Sequence, residues 1–362
     1  MPAKSPVIAP SKRRLRESVE VTVLTPQEVW FTKGYIVICL YLFSNGLCSL
    51  LRHRIQEISL CVCFLTTLAS SLILTGWLVV PAQAETIDAD SAEGYVALNR
   101  KIQCSTEDGS PQVFEWSGFG YARVPGEPDR KIFGLLGMNV RQCGQVEDPE
   151  KGIGYRLVSR EIMLYLDPQT GEVMRTFDNP WTGEVNEVIH VANDPVNGRP
   201  SFGVAADGSG KTFSYRDVNG QYLINYEIPL FYKNAMGGEY QKYVGGSYHA
   251  TEIFDFNGDV AELLDASKPV AYPVISWVRL AQWLPWMEMN GRAGMLYFNA
   301  MGRKLLNYEQ LADALKSEIA ENYPEYTVPP PLDDPRRNET SWTYMKKIID
   351  SRQSQEGDHA HH

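Results

Sequence analysis

Residues 153–185 read IGYRLVSREIMLYLDPQTGEVMRTFDNPWTGEV, and this stretch decides the fold. Its first fourteen residues carry a period-two apolar pattern. Two turn motifs of one design follow, DPQTGEV at 167–173 and NPWTGEV at 179–185, twelve residues apart. Proline presets the φ that a turn needs, and glycine accepts a positive φ three residues later. Strand, turn, strand and the same turn again predict successive hairpins of one meander.

The pattern extends in both directions. Period-two segments lie at 112–124, 131–140, 153–166, 172–178, 185–192, 199–206, 211–217, 221–231 and 240–256. Turn signals separate them at Asn193-Asp194-Pro195, Asn219-Gly220 and Asn257-Gly258. Regularly spaced strands predict a mainly β domain, an antiparallel meander closing into a barrel-like or sandwich form. Segment 131–140 is apolar on both faces, Ile132, Leu136, Met138 and Val140 against Phe133 and Leu135, so both faces require a cover.

Helices are expected at the flanks. Tyr95, Leu98 and Ile102 place one over 90–102, and Pro273 opens an apolar run to Leu284 that reads as another. A further strand fits 294–300. Leu311, Leu315 and Ile319 then stripe a helix over 308–321, with Asn307 as its cap. The segment PEYTVPPPLDDP is expected to run extended along the surface before a short helix near 341–350. The domain accordingly spans 85–325, and 326–362 form a proline-rich arm, a short helix and a polar tail.

Ahead of the domain, residues 58–80 are apolar, follow Arg52, His53 and Arg54, and precede Pro81-Ala82-Gln83-Ala84-Glu85. A basic flank, an apolar stretch and an A-x-A site predict a signal peptide over 58–84, cut after Ala84, or a signal anchor if uncut. Residues 1–57 read as an extension of the kind an over-long gene start leaves. A second span at 35–51 would set Arg52 and Arg54 outside, against the positive-inside bias. The body is therefore expected in an extracytoplasmic compartment, periplasmic or secreted, touching membrane only through an uncut signal.

Charge narrows the partners. Residues 1–84 hold eight basic and four acidic side chains, leaving 26 basic and 40 acidic groups for 85–362, a net charge of −14. Nucleic-acid affinity rests on basic side chains, so this body is a poor partner for nucleic acid. Only Cys104 and Cys143 of the six cysteines lie in it. In an oxidising compartment they would form a disulfide, and otherwise they are two buried thiols.

The segments HVANDPVNGRP (190–200), YHATEIFDF (248–256) and PVISWVRLAQWLPWMEMNGRAG (273–294) resemble an uncharacterised family of exported bacterial proteins of unknown function. The resemblance covers roughly 90–325 and implies one integrated domain. It implies no reaction and no cofactor.

Charged residues on apolar strand faces are the candidates for chemistry. Glu252 shares a face with Tyr248, Phe254 and Phe256; Arg160 lies among Val158, Ile162 and Leu164; Glu187 lies between Val185 and Ile189. A carboxylate on such a face has its pKa raised unless it is paired, as in enzymatic acids and bases. The bland alternative is that Arg160 neutralises one of these carboxylates. His190 before a polar turn and His249 on a more polar face complete the titratable set. Trp283, Trp286, Glu288 and Arg292 form the densest aromatic and charged cluster, suited either to stacking on a small ligand or to packing a turn on the sheet. No H-x-x-x-H or C-x-x-C spacing points to a metal site. These features predict a barrel-like protein enclosing a small apolar or aromatic ligand. The same pocket would suit a cyclase, isomerase or hydrolase using carboxylate and histidine chemistry, and a solid interior would leave a structural envelope protein.

Overall fold

Alternation in 112–166 becomes three long strands: β1 (Gln112–Arg123), β2 (Arg130–Asp148) and β3 (Gly152–Leu166). A computed structural model describes residues 85–359, apart from 245 and 290. The expected signal segment and extension lie outside the described residues.

The domain opens with α1 (Ala92–Gln103), whose N-terminal cap is Ser91 with its hydroxyl accepting from the Gly94 amide. After β3 come the short strands β4 (Thr176–Asp178), β5 (Val185–Glu187), β6 (Val191–Asn193) and β7 (Ser201–Phe202). The repeated motif builds the same turn twice. Asp167 Oδ1 accepts from the amides of Gln169 and Thr170, and Asn179 Oδ1 accepts from those of Trp181 and Thr182. Gly171 and Gly183 close the two turns at φ 77°.

The second half supplies β8 (Arg216–Val218), β9 (Gln221–Tyr232), β10 (Tyr248–Asp259), the short α2 (Val260–Leu264), β11 (Val274–Ala281) and β12 (Met295–Leu305). The chain ends in α3 (Asp313–Asn322) and α4 (Ser341–His359). Strand order is β6-β3-β2-β1-β12-β11-β10-β9-β8, and every pairing is antiparallel. A three-stranded meander and a five-stranded meander are thus sewn together where β12 returns to pair with β1. The sheet stays open, with β6 and β8 at opposite ends of the path. It is therefore not a closed barrel; its two halves face each other across a concavity, sandwich fashion.

Several expectations change. The strand expected over 240–256 begins only at Tyr248, after a 3₁₀ turn over Gly238–Tyr243. The run from Pro273 to Leu284 is strand β11 rather than a helix, hydrogen-bonded to β10 and β12 along its length. Its β-branched Val274, Ile275 and Val278 favour a pleated surface. Segments 199–206 and 211–217 yield only β7, β8 and an isolated bridge between Val204 and Gly210. Glycines 198, 203, 208 and 210 and Pro200 interrupt any ladder there. Asn307 makes no side-chain cap, and α3 begins only at Asp313.

Both faces of the long strands are covered. On the convex face Leu136, Met138 and Val140 of β2 and Ile162 and Leu164 of β3 pack against Leu311, Leu315, Ile319 and Tyr326. On the concave face α1 closes one end, packing Leu98 and Ile102 against Tyr222, Ile224 and Phe256. The other end receives Trp283, Trp286, Met287 and Met289 together with Trp342, Met345 and Ile349 of α4. The C-terminal helix is therefore part of the main core.

Two devices fix α1. Buried Lys304 donates to the carbonyls of Lys101 and Cys104, satisfying the helix C-terminus. A disulfide joins Cys104 to Cys143 of β2. The bond closes a loop of 39 residues, for which the chain-entropy argument gives about 4 kcal/mol. The double variant Cys104→Ala/Cys143→Ala is expected to lose about 4 kcal/mol in urea unfolding. A loss below ~1 kcal/mol would mean that packing alone seats the helix.

Candidate functional site

Strand register determines what faces the concavity. Trp116 pairs with Gly137 on β2 and Gly302 on β12, so all three share one face. By the same ladders this face carries Phe114, Asn139, Arg141, Glu161, Met163 and Tyr165 on one side. It carries Phe298, Trp277, Arg279, Glu252, Phe254 and Tyr248 on the other. The glycines make the floor possible. A Cβ on Gly137 would stand 2.5 Å from the Trp116 indole, which lies flat in the space a side chain would take.

These residues enclose a cavity of about 380 Å³, within the range of small-molecule sites. Aromatic and apolar groups make most of its wall: Trp116, Met163, Trp277, Trp286, Phe298 and Trp342. The Trp286 ring sits 5.7 Å from Phe133 and 5.6 Å from Tyr165, while Trp342 meets Tyr248 edge-on at 4.4 Å. The indole N–H groups of Trp277 and Trp286 find no hydrogen-bond partner among the described residues, and neither does Asn193 Oδ1. Unpaired buried polar atoms on a cavity wall are what a ligand's own polar atoms would satisfy.

Four charges occupy the middle of this wall. Arg279 donates to Glu252 Oε1 at 2.7 Å and to the Tyr248 hydroxyl at 2.9 Å. Its guanidinium is held protonated by Tyr248 and Glu252 against the opposing effect of burial. Glu161 lies across the cavity with no ion pair among the described residues within 4.0 Å. Burial, reinforced by the negative field of Glu252, pushes its carboxyl up to about 6, with Arg141, Arg279 and an Asn139 hydrogen bond pulling the other way. Arg141 donates to Asn139 Oδ1 at 2.6 Å and Gln103 Oε1 at 2.8 Å, and sits over the Phe114 ring at 4.4 Å. Burial pushes it down to about 10, which leaves it charged at neutral pH.

His190 sits at the cavity edge with Nδ1 accepting from the Tyr165 amide at 3.1 Å. Its Nε2 therefore carries the proton, near the Met174 carbonyl but without full hydrogen-bond geometry. Desolvation lowers it to about 4, so the ring is neutral at physiological pH.

The other residues singled out by sequence fall in several places. Glu252, Tyr248, His190 and Trp286 line the cavity together. Trp283 is buried beside it, donating to the Arg292 carbonyl and packing on Trp181. Glu288 and Arg292 are exposed, Glu288 in a left-handed turn at φ 52°. His249 is on the opposite sheet face against Phe231. Glu187 is exposed and paired with Arg352 beside a second, more open depression of about 580 Å³. Arg160 lies on the convex face, where it pairs with Asp194 at 2.9 Å and donates to the carbonyls of Glu325 and Val328. It thereby fastens the proline-rich arm to β3. No cluster of three or more metal-binding side chains occurs among the described residues.

Arg141, Glu161, Arg279, Trp116 and Trp277 escaped the sequence reading. On β3 the apolar pattern around Arg160 draws the eye to the even-numbered face, whereas Glu161 stands on the odd-numbered one. A one-residue change of phase moves every side chain to the other face.

The electrostatics set a pH dependence. A carboxyl whose folded value is raised contributes stability that is full below its ordinary value of 4.5 and is lost as pH rises through about 6. The variant Glu161→Gln is therefore expected to gain about 2 kcal/mol over wild type at pH 8 and nothing at pH 4. Urea unfolding at the two pH values measures this, and equal differences at both would contradict it. Removing Arg279 should leave Glu252 buried and unpaired, so Arg279→Met is expected to cost 3 kcal/mol or more, on the order of other broken buried pairs.

No curated protein matches the chain. The sheet that carries the cavity, from β1 into the first half of α4, lies within residues 109–349, which match the model of a protein family of unknown function, and the chain belongs to that family, DUF1838.

Proposed function

We propose that this protein binds a small molecule with a flat, largely apolar body inside the concave face of its sheet. The carrying observation is the enclosed cavity of about 380 Å³, walled by indole and phenyl rings whose N–H groups at Trp277 and Trp286 await partners. A structural scaffold has no need of such a void, since interiors otherwise pack to crystal-like density. The Cys104–Cys143 bond supports delivery to an oxidising compartment, as the signal-like segment at 58–84 leads one to expect.

A second reading is favoured by one specific feature. Glu161 and Glu252 stand in unlike settings, the first without an ion pair and raised, the second clamped by Arg279. Carboxyl groups so separated are suited to proton transfer, which would make the protein an enzyme of the isomerase, cyclase or hydrolase kind.

Binding is tested first with a neutral probe. Native mass spectrometry of the purified protein is expected to show an added mass that vanishes on denaturation. After its removal, 2-naphthylmethanol should bind with quenching of tryptophan fluorescence, about tenfold more weakly in Trp286→Ala. Absence of any bound mass, together with no probe binding, would overturn the reading.

A further inference from the structure

Arg141 is out of balance with its surroundings. It lies deep in the fold, keeps part of its surface and lines the cavity. Its hydrogen-bond partners, Asn139 and Gln103, are neutral, and no carboxylate lies within 4.0 Å of it among the described residues. Its Nη2 donates to no protein atom among them. Arg279, by contrast, has a carboxylate at 2.7 Å and a phenol at 2.9 Å. A buried guanidinium without a counter-ion is costly unless something completes it. Its planar fork is shaped for two parallel hydrogen bonds to a carboxylate.

The other groups facing Glu161 limit what can arrive. From β2 comes Arg141, from β10 Glu252 and Tyr248, from β11 Arg279, and from the segment before β6 the neutral His190. Tyr165 lies on its own strand, and Glu339 reaches the cavity from the arm but is already paired with Lys347. Lys304 of β12 also packs on Phe114 near Arg141, but its donors end on two α1 carbonyls and burial lowers its pKa. The central set is therefore two guanidiniums, Glu252 and Glu161. With Glu161 ionised the set is neutral. With Glu161 protonated it holds one positive charge in excess, the complement of a single anion.

We propose that the ligand carries one carboxylate, that this carboxylate seats on Arg141, and that Glu161 holds a proton taken from solvent while the ligand is bound. The inference rests on the binding reading above and adds its headgroup and its proton. The ring-lined remainder of the cavity receives the apolar body. An ionised Glu161 would repel the incoming anion across a medium that screens poorly.

The test uses a matched series on one ring: 2-naphthoate, 2-naphthylmethanol and 2-naphthylmethylamine, titrated calorimetrically into the purified protein from pH 6 to 8. Naphthoate is expected to bind at least tenfold more tightly than the alcohol at pH 6, and the amine most weakly. Its affinity should fall about 50-fold between pH 6 and 8, following the protonated fraction of a group near 6. The alcohol should show no such slope. Glu161→Gln is expected to abolish the slope and to bind naphthoate about 100-fold more tightly than wild type at pH 8. Arg141→Met should remove the preference for naphthoate while the alcohol still binds. If that variant fails to fold, Glu161→Gln and the probe series decide alone. Equal affinity for naphthoate and alcohol, or a slope that survives in Glu161→Gln, would overturn the proposal while leaving the binding reading intact.

Discussion

A strongly curled sheet must fill its concave face, and this one fills the centre with charge. Two guanidiniums and two carboxylates stand on strands β2, β3, β10 and β11, which only the curl brings opposite one another. Burying four ionisable groups together is tolerable where each is paired or hydrogen-bonded. Arg279 and Glu252 meet that condition, whereas Glu161 and Arg141 meet it only in part. The apolar rings above and below the cluster, the helix at one end and the tryptophans at the other keep water's screening away. Desolvation is accordingly the largest influence on Glu161, Arg141 and Arg279.

The surrounding architecture holds the curl in place. Pairing of β1 with β12 joins the two meanders into one sheet, so the walls of the cavity cannot separate without breaking eleven consecutive residue pairs. Helix α1 closes the far end, tied by the disulfide and by Lys304, whose side-chain nitrogen donates to two helix carbonyls. The near end is closed by the arm and α4. Glu339 accepts from the Asp194 amide, and Trp342 meets Tyr248. Removing the arm would expose those tryptophans and open the cluster to solvent.

Much of this was legible in the sequence, and what was not has a physical cause. The meander could be read because the two TGEV turns punctuate it, and their side-chain chemistry proves identical down to the Asp167 and Asn179 acceptors. Glu252, Tyr248 and Trp286 were visible as polar or aromatic groups on apolar runs. The β1–β12 pairing was invisible because it joins residues far apart in the chain, where local pattern says nothing. Arg279 was hidden by reading 273–284 as a helix, since apolar residues on both faces satisfy either period. Glu161 was hidden by phase: β3 is apolar on both faces, and its more uniformly apolar face is the one covered by α3. Openness of the sheet, too, could not be read, because closure depends on edge strands shortened by glycine and proline.

Glu161 sits in a largely desolvated site without an ion pair among the described residues, and burial pushes its carboxyl up to about 6. This elevation is tested most directly by carbon-13 NMR of glutamate-labelled protein, with the Glu161 carboxyl resonance assigned by its loss in Glu161→Gln. That resonance is expected to titrate near pH 6. Titration at or below the ordinary 4.5 would show a solvated or fully paired carboxylate, and the charge balance argued for the cavity would be wrong.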